Sequence, residues 1–177
     1  RNADGHSYQF NYKGIDITPK FVDICKKLGY DVSLGDVSNI DEPDNAYDCV
    51  LSLDVLNHQL DFKKPLSELV RISNRFVYVS FFKDFKESSE IVYKHEDLVH
   101  HHFKKQEVID YLNTFDDIWF SFIRAWRIGT KLPAPPPHSE QFEVVTYSPN
   151  EDLIIIKKST FLNFCEQIHK DVHCGRV

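Results

Sequence analysis

Between Tyr12 and Gly29 the chain spells strand, cap, helix and cap in direct succession, and that unit constrains the fold more than any other feature. Tyr12-Lys13-Gly14-Ile15-Asp16-Ile17 reads as a strand. Thr18-Pro19 reads as an N-cap followed by proline in the first turn, where its missing N–H leaves no hydrogen bond unmade. Phe21, Val22, Ile24, Cys25 and Leu28 recur at helical spacing, and Gly29 follows as the C-cap glycine. Repeated units of this kind pack as a sheet with helices laid on it.

The pattern repeats. Asp31-Val32-Ser33-Leu34 is a second strand ending at Gly35-Asp36, and the loop from Ser38 to Tyr47 is rich in Asp, Asn and Pro. Asp48-Cys49-Val50-Leu51-Ser52-Leu53 is an almost unbroken apolar run, as expected of a parallel strand buried on both faces. Leu66, Leu69, Val70 and Ile72 form the next helical face, and Arg75 to Phe82 is another buried strand. This predicts an α/β fold: a Rossmann-like open, mostly parallel sheet with helices on both faces.

After Lys83 the texture changes. A polar stretch from Asp84 to Lys105 contains the His100-His101-His102 run, Gln106 to Leu112 reads as a short helix and Ile118 to Trp126 as an aromatic strand. Pro133 to Pro137 must be irregular. Phe142 to Tyr147 and Asp152 to Lys157 flank Ser148-Pro149-Asn150-Glu151, which predicts a C-terminal antiparallel hairpin. Residues 1–158 are therefore expected to form one α/β domain, with 159–177 a helical tail or the start of a further segment.

Composition narrows the function. With 177 residues, 14 Phe, 8 Tyr and 2 Trp, the chain has ample apolar surface for a core and is not a disordered polymer. A net charge of -6 without a basic stripe argues against nucleic acid as partner. No apolar run approaches the roughly 20 residues of a membrane span, and no signal-peptide core follows Arg1, so the expectation is a cytoplasmic protein with no membrane partner. The four cysteines, Cys25, Cys49, Cys165 and Cys174, are too scattered for a disulfide framework and read as reduced thiols, two of them core-like. The absence of Met and the start at Arg1 suggest that further sequence lies upstream.

Ligands of open α/β sheets bind beyond the carboxyl ends of the strands. Asp16 ends the first strand, where a carboxylate accepts hydrogen bonds from both hydroxyls of a ribose. Asp36 ends the second, 20 residues further on; there a carboxylate accepts from an exocyclic amine such as adenine N6, and the Val37 N–H donates to a ring nitrogen. Ser52-Leu53-Asp54 ends the third and leads into Val55-Leu56-Asn57-His58. Each acid also has a plainer role, Asp16 as a capping neighbour and Asp36 as a turn residue.

Taken together, Gly14-Ile15-Asp16-Ile17-Thr18-Pro19, Gly35-Asp36-Val37, Tyr47 to Ser52 and Val55-Leu56-Asn57-His58 resemble the class I S-adenosylmethionine-dependent methyltransferases. The resemblance spans Tyr12 to Lys158, its best motifs lying within Gly14 to His58. It implies a methyltransferase using S-adenosylmethionine on a small-molecule acceptor, with Asp16 and Ile17 at the ribose, Asp36 and Val37 at the adenine, and Leu53 and Asp54 facing the methionine part. The family's first strand and its glycine-rich loop are not in this sequence, whose six glycines include no G-x-G.

His58 is the candidate catalytic residue, as a general base or a substrate contact, since an imidazole with an ordinary pKa near 6.5 takes protons at neutral pH; its plainer role is a local hydrogen bond. Metal binding is not expected: the His100 to His102 run reads as solvated, and Cys165, His169, His173 and Cys174 do not make a complete zinc site. The aromatic second half, including Phe103, Trp119, Phe120 and Phe122, reads chiefly as core, with Arg124, Arg127 and His138 available to an acidic substrate. The competing readings are a non-catalytic scaffold of the same fold and an NAD-dependent oxidoreductase, because a strand-end acid also binds the ribose of NAD. Acceptor and oligomeric state are not legible.

Overall fold

A computed structural model describes residues 11–80, 85, 88–95, 98–125 and 150–159. The chain divides into two compact units, Arg1–Glu42 and Pro43–Val177.

In the first unit, β1 (Gly14–Asp16) runs parallel to β2 (Val32–Leu34), and α1 (Pro19–Lys27) connects them. Pro19 occupies the first helical turn as expected, with Thr18 at the N-cap position. At the other end, Tyr30 N–H donates to the Cys25 carbonyl and Gly29 N–H to that of Lys26, each at 3.0 Å. This paired closure requires a left-handed residue, and Gly29 supplies it with φ +86°. The apolar periodicity of α1 buries Val22, while Phe21, Ile24 and Leu28 stay exposed. Two strands of three residues each offer too little surface to cover the helix face.

The second unit is built on a four-stranded sheet in the order β3-β4-β8-β7, comprising β3 (Tyr47–Leu53), β4 (Ser73–Ser80), β7 (Ile118–Ala125) and β8 (Asn150–Lys157). β3 and β4 are parallel and joined through α2 (Lys63–Ile72), the expected βα repeat. β8 is antiparallel to both β4 and β7. Among the described residues, parallel pairing is thus confined to β1–β2 and β3–β4, so the sheet is more antiparallel than the sequence suggested. The antiparallel ending is present as β7–β8; Phe142 to Tyr147, expected to form one arm of it, lie outside the described residues.

Register assigns the two faces of this sheet. Val50, Val77, Val79, Leu153 and Ile155 share one face and are all buried. α2 packs here through Leu66, Leu69, Val70 and Ile72, each burial contributing about 1.5–3 kcal/mol. α3 (Lys105–Leu112) lies on the same side, with the Lys105 ammonium 4.5 Å from the centre of the Phe122 ring. The opposite face carries Leu51, Leu53, Phe76, Trp119 and Ile123, all exposed. β3 is therefore buried on one face, not two. Cys25 is half-buried and Cys49 exposed, so neither is a core residue.

The described part of the polar stretch after β4 contains two strands that the sequence reading did not assign. β5 (Glu90–His95) and β6 (Leu98–His102) form an antiparallel pair, which brings the histidine run into a strand. The hydrophobic pattern missed it because the strand is made largely of histidine.

Candidate functional site

In the first unit the strand ends bring Asp16 and Asp36 to the same edge. Gly35 N–H donates to the Asp16 carbonyl at 3.0 Å, so the residue before Asp36 is bonded to Asp16 itself. Space at Gly35 is tight as well: a Cβ there would meet Ile15 Cβ at 3.1 Å. Asp16, half-buried, accepts the Thr18 N–H on Oδ1 at 2.7 Å. Thr18 itself makes no side-chain capping bond; the Asp16 carboxylate instead braces the N-cap residue's own N–H. Asp36, exposed, likewise accepts the Ser38 N–H on Oδ1 at 2.7 Å. The turn and capping roles are thus real, yet each engages one carboxylate oxygen. Beside these acids, Ile17 is exposed and Val37 half-buried.

In the second unit, the carboxyl end of β3 is held by β4. Asp54 has φ +56°, a left-handed conformation that aspartate tolerates better than most residues. Its N–H donates to both the carbonyl and Oγ of Ser80, at 3.1 and 3.0 Å, and Ser80 Oγ donates to Asp54 Oδ1 at 3.1 Å. Ser80 is fully buried, so this clasp is sheltered from water and fixes the strained turn. Leu53, immediately before it, is exposed.

A single 3-10 turn, Leu56–His58, follows. Leu56 and Asn57 are buried and His58 is exposed. His58 Nδ1 lies 2.7 Å from the Val99 carbonyl on β6, 41 residues away, so its hydrogen bond is not the local one expected. Asn57 Nδ2 donates to the His101 carbonyl at 3.3 Å, and His101 Nδ1 lies 3.4 Å from the Gln59 carbonyl. The His58 and His100 rings meet edge to face at 5.7 Å, and those of His100 and His102 at 5.2 Å. The histidine run is thus packed, not solvated: His102 is 5% exposed, with Nδ1 3.6 Å from Glu90 Oε1.

Among the described residues, no group of three or more His, Cys, Asp or Glu is arranged to hold a metal ion. Cys165, His169, His173, Cys174, Arg127 and His138 lie outside them, while Arg124 is on β7 in register with Glu151. Of the aromatic residues, Phe103 is core, 5.0 Å from the Phe62 ring, whereas Trp119 is exposed. Sequence reasoning placed Asn57 in the segment leading to His58 without a role of its own, and missed Ser80 and the pair formed by the Tyr78 hydroxyl and the fully buried Asp152 carboxylate that accepts from it. Asp152 carried a signal: it is the one acid in the apolar run Asp152 to Ile156.

A family model described as a methyltransferase domain matches residues 3–78. That match covers 76 of the 177 residues and likens this part of the chain to methyltransferase domains. Ajmaline N-methyltransferase of Rauvolfia serpentina is 34% identical over 76 residues, covering 37% of this chain. The chain spans 25% of the length of that curated relative. A methyltransferase from Methanosarcina mazei superposes with a TM-score of 0.53 at 16% identity, over 82% of this chain and 81% of its own. The magnesium protoporphyrin IX methyltransferase of Synechocystis PCC 6803, solved with bound S-adenosylmethionine, gives 0.50 at 17% identity, over 82% and 58%. These likenesses establish the Rossmann-like methyltransferase fold. Among the described residues no helix is long and apolar enough to cross a membrane.

Proposed function

We propose that the protein is an S-adenosylmethionine-dependent methyltransferase acting on a small-molecule acceptor. Residues 1–158 are its methyltransferase-type domain and the cytoplasm its place of work. Asp16 and Ile17 hold the ribose, Asp36 and Val37 the adenine, Leu53 and Asp54 the methionine part, and His58 stands at the acceptor. When bound, the cofactor supplies a methyl group on a positively charged sulfur.

The observation that carries this reading is the Gly35 to Asp16 hydrogen bond, which joins two strand-end acids at one edge. Each acid is fixed by one oxygen to a backbone N–H, so a second oxygen is pre-oriented for a ligand donor. An exposed apolar side chain, Ile17, adjoins Asp16. Acceptors for hydroxyl and amine protons beside apolar surface suit an adenosine. The small-molecule acceptor is supported by the relative that methylates a nitrogen and by the porphyrin-type neighbour.

The test is calorimetric titration of the full encoded protein with S-adenosylhomocysteine, alongside Asp16→Ala and with NAD for comparison. Binding at micromolar or tighter, about -8 kcal/mol, weakened by Asp16→Ala and absent for NAD, is the expected result. A folded protein that binds NAD instead belongs with the oxidoreductases, and one that binds neither is a scaffold.

A further inference from the structure

A carbonyl oxygen only accepts hydrogen bonds. The 2.7 Å separation between His58 Nδ1 and the Val99 carbonyl therefore requires the proton of the imidazole to sit on Nδ1. In the neutral ring this leaves Nε2 as the lone-pair nitrogen, the one able to take a proton. We propose, building on the methyltransferase reading, that His58 Nε2 is the proton acceptor for a protic nucleophile, an amine or a hydroxyl, and that Asn57 is the positioning residue that holds this tautomer.

Asn57 is 2% exposed and donates to the His101 carbonyl, two residues along β6 from the Val99 carbonyl that receives His58. The return bond from His101 to the Gln59 carbonyl closes the other side of the turn. Three bonds from adjacent residues thus dock one strand on one turn, and the His58 ring meets that of His100 edge to face. The titratable groups facing this ring from β6 are His100 directly and, through it, His102, which Glu90 approaches from β5. His58 itself is exposed, so a small acceptor reaches it.

In the proposed step the acceptor's lone pair forms the bond to the methyl carbon, and the sulfur keeps the electron pair of the breaking bond. The acceptor's proton passes to Nε2, leaving an imidazolium that returns it to water. Nucleophiles that carry no proton at neutral pH, such as carboxylates, have no use for such a group.

The experiment combines a spectroscopic and a kinetic readout on the full chain. Nitrogen-15 NMR of the His58 ring, with S-adenosylhomocysteine present, is expected to show the Nδ1–H tautomer, and Asn57→Ala to shift it towards Nε2–H. With labelled S-adenosylmethionine and a panel of amines, phenols and carboxylates, transfer is expected to the amines or phenols. The turnover of these acceptors should rise with pH, along a limb that depends on His58. His58→Asn keeps a δ-nitrogen donor for Val99 but has no Nε2; it should lose this pH limb and at least tenfold in kcat while binding S-adenosylhomocysteine within threefold of the parent. An Nε2–H tautomer in the parent, transfer only to carboxylates, or an unchanged limb in His58→Asn overturns the proposal while leaving the cofactor reading intact. Failure of S-adenosylhomocysteine to bind the folded parent overturns the cofactor reading, whatever the tautomer.

Discussion

Gly35 gives its backbone N–H to the carbonyl of Asp16, and the side chain of Ile15 fills the space a Cβ at Gly35 would need. The two acids beside this bond are consequently placed by main chain and by van der Waals contact. Gly35→Ala should lower stability by about 1–3 kcal/mol through overpacking and weaken S-adenosylhomocysteine binding with it. Urea unfolding and calorimetry on the same sample check both.

Two variants separate the capping and ligand roles of Asp16. Asp16→Ala removes the acceptor for the Thr18 N–H and should cost about 1 kcal/mol of stability. Asp16→Asn keeps an oxygen at that place, so stability should hold within about 0.5 kcal/mol. S-adenosylhomocysteine affinity should nevertheless fall roughly tenfold to a hundredfold in both, since a charged acceptor contributes about 1.5–3 kcal/mol.

Gly29 is required by conformation, with φ +86° and nothing within 4 Å of the direction a Cβ would take. Gly29→Ala should destabilise by about 1 kcal/mol through backbone strain alone. Thermal or urea unfolding with no change in ligand affinity is the expected outcome.

Tyr78 and Asp152 form a buried hydroxyl to carboxylate bond across β4 and β8. Tyr78→Phe should cost about 1–3 kcal/mol by removing a donor from a buried carboxylate. Combined with Asp152→Asn, the loss should be smaller than the two single losses together, which a urea double-mutant cycle measures.

Partial burial, and secondarily the neighbouring Asp48 carboxylate, push the Cys49 thiol above its ordinary pKa. The folded chain therefore holds this proton longer than the unfolded one. The group's contribution to stability is present below the unfolded pKa and is lost as pH rises through the folded value. Iodoacetamide labelling of Cys49, read by peptide mass, should reach half-maximal rate at a higher pH in the folded chain than in the denatured one. Asp48→Asn should close part of that gap.

The βα units were legible because their signals are local. Pro19 and Gly29 mark the ends of α1, and the apolar runs of β3 and β4 mark the sheet. Asp16 and Asp36 were legible as strand-end acids for the same reason. What pairs with what was not. Nothing in Asp152 to Lys157 announces that β8 lies beside β4, because antiparallel insertion depends on contacts across more than seventy residues. β5 and β6 were invisible because three consecutive histidines satisfy neither hydrophobic period, although the backbone of His100 to His102 pairs as well as any other. The Val99 carbonyl, which decides the His58 tautomer, is a main-chain atom and leaves no trace in residue type.

That last fact bears on how such a site can diversify. Both groups of β6 that receive the turn, the carbonyls of Val99 and His101, belong to the backbone and are present whatever side chains stand at 99 and 101. Substitutions along β6 can then alter the size, charge or polarity presented to an acceptor while His58 and Asn57 keep the same anchors. The fastening of His58 and Asn57 thus rests on main-chain atoms of β6, while the His101 side chain adds a further bond to the Gln59 carbonyl that a substitution there would remove.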